Sequence, residues 1–122
     1  MQMKAVMVFY ILNATLLLLH EIESAYEREW EILKLPGKIT GFLLIHVPII
    51  LIFFYALLEI NLQTQIGSAL GIITGAGGIM PFLVHKIFMK RKGHFNLLIS
   101  NIIVYANILT GIGTIIFSSR FV

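Results

Sequence analysis

LLLLHEIESAYEREWE, residues 16–31, runs from an apolar helix directly into five glutamates, and the place where a membrane ends along it decides the fold. If the membrane ends before His20, the acidic stretch is a solvated helix end. If it ends later, a histidine and a carboxylate sit among lipid, where ionisable groups are expensive unless paired or turned to a polar interior. Composition favours a bilayer. The 122 residues are 58% hydrophobic and 12% charged with mean hydropathy +0.93, whereas soluble domains carry about 25% charged residues. The chain has no cysteine, which excludes a disulfide framework, a thiolate metal site and an iron–sulfur cluster. Any metal must be held by imidazole, carboxylate or amide groups.

Outward from this stretch, residues 39–58, 66–89 and 95–117 are apolar runs that reach the ~20 residues needed to cross a ~30 Å hydrocarbon core. The first run, residues 5–19, is fifteen long, about 22 Å at 1.5 Å per residue. It is followed by HEIES and not by a small-residue cleavage site, so it reads as an uncleaved first span. If Lys4 marks the edge of that span, ~20 residues of hydrocarbon extend to about Ser24 and enclose His20 and Glu23. The predicted architecture is an all-α membrane protein, a four-transmembrane-helix bundle made of two helical hairpins, in one integral domain over residues 1–122. Its helices are expected at about 4–33, 39–59, 66–89 and 95–118. The first should run unbroken to about residue 33, because Pro36 and Gly37 are the first breakers.

Basic residues set the orientation. Arg28, Lys34 and Lys38 in the first connection, with Lys86, Lys90, Arg91 and Lys92 around the KRKGH turn, place seven on one side against Lys4 and Arg120 on the other. The positive-inside rule then puts both connections in the cytoplasm and both termini outside, in a cell inner (cytoplasmic) membrane. The net charge of +3 follows from that topology and calls for no nucleic-acid partner.

In this arrangement His20, His46, His85 and His94 all fall in the cytoplasmic half. His20 and Glu23, at i,i+3, share a helix face that Glu27 and Glu31 continue. The same spacing, in the order Glu then His, occurs in helical-bundle carboxylate metal sites. The expected site is therefore His20, Glu23, His46 and His85, converging from three helices on a divalent ion such as zinc, with Glu23 as fourth ligand or as general base toward bound water. Pro48 frees the carbonyl of Leu44 and could aim His46. Gly67, Gly71 and Gly75 form a small-xxx-small packing stripe, and Asn96, Ser100 and Asn107 share a face expected to point into the bundle.

HEIESAYEREWEILKLPGKITGFLLIHVPI resembles the signature region of a family of small four-helix bacterial membrane proteins of unknown function. In that pattern an HEI-D/E opening, an EWE stretch, a Pro-Gly turn and a His-x-Pro helix follow in order. The resemblance covers about residues 10–60, and the second half matches in topology only. It implies a four-helix fold and a signature region holding His20, Glu23, Glu29, Trp30, Glu31, His46 and Pro48. Lys38 stands where the pattern suggests a second glycine.

Three classes of function fit these features. The first is the metal site, hydrolytic if one coordination position stays open. The second is haem or quinone binding through paired histidines such as His46 and His85. The third is a non-catalytic subunit or regulator that docks a protein partner through the acidic segment 21–35; a homo-oligomer in the bilayer is a separate expectation for the chain.

Overall fold

The computed structural model describes residues 5–26, 28–32, 34–84 and 98–121. They form α1 (Ala5–Tyr26), α2 (Glu29–Ile32), α3 (Lys38–Leu62), α4 (Gln65–Leu83) and α5 (Leu98–Ser118), closed by a 3-10 turn at Ser119–Phe121. Among the described residues α1, α3, α4 and α5 are each long and apolar enough to cross a membrane. Glu27, His85, Lys86, Lys90, Arg91, Lys92, His94 and Asn96 lie outside the described residues, as do the expected end of the third span and start of the fourth.

The first helix differs from the expectation of an unbroken run to residue 33. It passes through His20 and Ser24 without interruption but ends at Tyr26, and Arg28 adopts a left-handed conformation with φ 55°. The short α2 then turns Trp30 onto Phe42 at a ring-centroid distance of 5.5 Å, leaving Trp30 only 7% exposed. A left-handed non-glycine residue costs about 1–2 kcal/mol. Burying the ~150–250 Å² of a large aromatic is worth about 4–6 kcal/mol at ~25 cal/mol per Å², so the break is the favoured outcome. Tyr26, by contrast, is 82% exposed.

The turn into α3 packs tightly. Gly37 has φ 90°, a conformation open to glycine without penalty, and a Cβ there would lie 2.8 Å from the Cα of Gly41. The Gly41 N–H donates to the Gly37 carbonyl at 2.9 Å, which fastens the turn to the first turn of α3. Lys38 is also left-handed, at φ 52°, which accounts for the glycine suggested at this position. At the other end of α3, Gln63 at φ 56° ends the helix and Thr64 caps α4 by accepting from the Gly67 N–H at 2.9 Å. Two residues therefore suffice to reverse the chain.

The most extensive packing is between α4 and α5, followed by α1 against α5. The α3 helix meets α4 and, less extensively, α1. The second hairpin is thus the tight one, and α1 leans on it more than on its own partner α3. Small residues permit this close approach. Gly67, Gly71 and Gly75 are buried, against the Glu59 carbonyl, Ser118 and the Gly111 carbonyl respectively. Polar groups join the interfaces: Asn13 Nδ2 donates to the Thr74 carbonyl at 2.9 Å, Thr110 Oγ1 to Asn13 Oδ1 at 3.3 Å, and Ser68 Oγ to the Ser118 carbonyl at 2.7 Å. Ser100 and Asn107 are buried on α5, on the inward face the sequence suggested. Few apolar side chains of α3 are buried, only Phe42, Ala56 and Ile60. Most of its other side chains are apolar and exposed or half-buried.

Candidate functional site

Successive residues on an α-helix are rotated by about 100°, so Glu21 and Glu23 project to opposite sides of His20. His20 is buried, 5% exposed. Glu23 turns toward α5, where the Ser100 hydroxyl donates to its Oε2. Glu21 turns toward α3 and meets His46, with Nε2 of the imidazole 2.5 Å from Oε2 of the carboxylate. The other oxygen, Oε1, lies 3.8 Å from Nε2 of His20. One carboxylate therefore faces two imidazoles from two helices.

The second nitrogen of His46 fixes the proton count of this pair. Nδ1 lies 2.6 Å from the Phe42 carbonyl, which can only accept, so Nδ1 carries a hydrogen. The contact between Nε2 and Oε2 then needs one further proton, shared as acid and imidazole or as carboxylate and imidazolium. In both forms the pair has no net charge. Its orientation is held by the Phe42 ring, whose centroid is 4.1 Å from that of His46, and Trp30 backs Phe42 in turn. The side chains of His46 and Glu21 remain 15% and 31% exposed, so a molecule in the groove outside can reach them.

That groove, about 320 Å³, lies between α1 and α3 and is lined by Leu18, Glu21, Ile22, Phe42, His46 and Ile50 among others. Apart from Glu21 and His46 its side chains are apolar. Ile22 and Leu43 on its rim are 68% and 58% exposed. An apolar cleft with a few placed polar groups is the usual form of a small-molecule site.

Of the four residues expected to converge, His46 and Glu23 engage different helices, His20 lies between them, and His85 falls outside the described residues. Among the described residues no group of three or more His, Asp or Glu side chains is arranged to hold a metal ion. Glu21 is the functional residue that the sequence pattern does not mark. No spacing rule singles it out among the five glutamates; which of them meets His46 is set by the rotation of α1 against α3.

Among the described residues, an all-helical architecture with four helices able to cross a membrane, and a carboxylate–imidazole pair set between two of them, define the class. The chain belongs to a family of unknown function, DUF6713, whose model matches residues 6–121. The match takes in the second half of the chain as well as the HEIES to HVP region. No curated protein and no solved structure matches it.

Proposed function

We propose that this is a multi-pass protein of a bacterial cytoplasmic membrane that binds a hydrophobic small molecule through the Glu21–His46 pair. The observation that carries the reading is the 2.5 Å contact between these side chains at the head of an otherwise apolar groove. Two ionisable groups inside apolar spans stabilise nothing that two leucines would not, since even a well-paired buried ion pair only about offsets its own desolvation. A recognition role explains their presence. Seven basic residues around the two connections support a site in the cytoplasmic leaflet with both termini extracytoplasmic. A C-terminal reporter active only outside the cytoplasm is the expected result, and cytoplasmic activity would reverse the orientation.

A divalent cation is the second reading, favoured by the Glu21 carboxylate facing His20 at 3.8 Å and His46 at 2.5 Å. A zinc-like ion there would replace the shared proton, with Glu21 taking the ligand role first given to Glu23 and His85 as a further imidazole. Axial ligation of haem by His46 would require its Nε2 to leave Glu21.

Mass spectrometry of lipid extracts and metal analysis of protein purified in mild detergent separate these readings. Retention of an apolar small molecule, reduced about tenfold in Glu21→Gln and His46→Leu, is the expected outcome. Stoichiometric zinc that is lost in the same variants selects the second reading. Equal retention by wild type and variants, without metal, contradicts both.

A further inference from the structure

We infer that the molecule bound is a single-chain lipid with an uncharged hydroxyl headgroup, its hydroxyl on Glu21–His46 and its chain running between α1 and α3 toward Tyr10. This rests on the proposed binding role of the pair and adds the chemistry of the ligand.

Continuity of the groove supplies the chain. Below the 320 Å³ groove a second depression of about 140 Å³ is lined by Tyr10, Ala14, Thr15, Leu18, Ile50 and Phe53 among others. Leu18 and Ile50 line both, so the two form one track along the α1–α3 seam. From Glu21 to Tyr10 along α1 the track covers roughly 16 Å at 1.5 Å per residue, about half of a ~30 Å hydrocarbon core. That is the depth one lipid chain occupies in its own leaflet. Tyr10 closes the far end, its hydroxyl donating to the Phe53 carbonyl across the seam at 2.6 Å. The end of the track therefore meets a ring whose one polar atom is already bonded, and suits a methyl terminus.

Charge and hydrogen-bond capacity supply the headgroup. The pair carries one shared proton and no net charge. The cations near this end of the seam, Arg28, Lys34 and Lys38, are solvent-exposed, and Arg28 lies 3.9 Å from Glu31. None of them lines the groove, so a phosphate or ionised carboxyl placed there would add a negative charge beside a pair that is already neutral, with no further cation among the described residues to receive it, a costly arrangement in an apolar site. A hydroxyl has no such penalty. It can donate to Glu21 Oε1, the oxygen outside the 2.5 Å contact, and accept as the shared proton shifts.

Photo-crosslinking of the full chain in nanodiscs tests this, with a diazirine-bearing long-chain alcohol, the matching ionised fatty acid and a lysophosphatidate as probes. The alcohol should label α1 and α3 at least fivefold more than either anion. Glu21→Gln, which keeps the shape, should reduce that labelling at least fivefold, and Ala14→Trp, which fills the track below the pair, should block it. Equal or stronger labelling by an anionic probe overturns the headgroup assignment, and labelling unaffected by Ala14→Trp overturns the track. If no probe labels while the purified protein still loses a native small molecule in Glu21→Gln, the inference fails and the binding role stands. If that retention is also unchanged, both fail.

Discussion

Gly78→Ala should destabilise the bundle by about 2–4 kcal/mol, while Gly77→Ala next to it should be neutral or stabilising by up to about 0.5–1 kcal/mol. The two glycines share a helix and a propensity and differ in what they face. A Cβ on Gly78 would stand 2.2 Å from Asn13 Oδ1 and 2.9 Å from the Asn107 carbonyl, whereas on Gly77 the nearest neighbour is a leucine methyl at 3.8 Å. The Asn107 carbonyl is backbone and cannot step aside. Asn13 could move only by releasing its bond to the Thr74 carbonyl, stranding a buried amide at about 1–3 kcal/mol. Unfolding in mixed detergent micelles of graded denaturing strength measures both variants against wild type.

The second large effect is expected at the pair itself. Glu21→Leu or His46→Leu alone should each cost about 1–3 kcal/mol, less than the ~3–5 kcal/mol for half of a fully buried pair, because Glu21 keeps 31% of its side chain exposed. The double variant Glu21→Leu with His46→Leu should recover most of that loss, since both polar groups are gone and the groove is otherwise apolar. Retention of the bound molecule should not recover with it. A double variant that regains both stability and retention would make the pair a structural clasp only. Additive losses would mean the two residues do not interact.

Much of the fold could be read from the sequence, because an apolar run long enough to span a bilayer has few alternatives. The starts of α3 and α4, expected at 39 and 66, fall at Lys38 and Gln65. The end of α1 could not be read the same way. Neither glycine nor proline marks Arg28, and its left-handed turn is imposed by tertiary burial of Trp30 on Phe42. At the site, His20 and His46 stood out because an imidazole inside an apolar span needs a reason. The i,i+3 spacing from His20 points to Glu23, but it is a rule about one helix face that says nothing of which neighbour the face meets. With α1 apolar nearly all round from residue 5 to 19, no polar stripe marks the side turned to α3. The rotation of α1 against α3 carries that information, and it turns Glu21 to His46.

In this arrangement α1 presents Glu21 to His46 on α3 and Glu23 to Ser100 on α5. The absence of native cysteine makes it directly measurable with paired substitutions and a short thiol-specific bifunctional cross-linker in native membranes. Efficient cross-linking is expected for Glu21→Cys with His46→Cys and for Glu23→Cys with Ser100→Cys, and little for the exchanged pairs. Cross-linking of Glu23→Cys with His46→Cys in preference to Glu21→Cys with His46→Cys would contradict it.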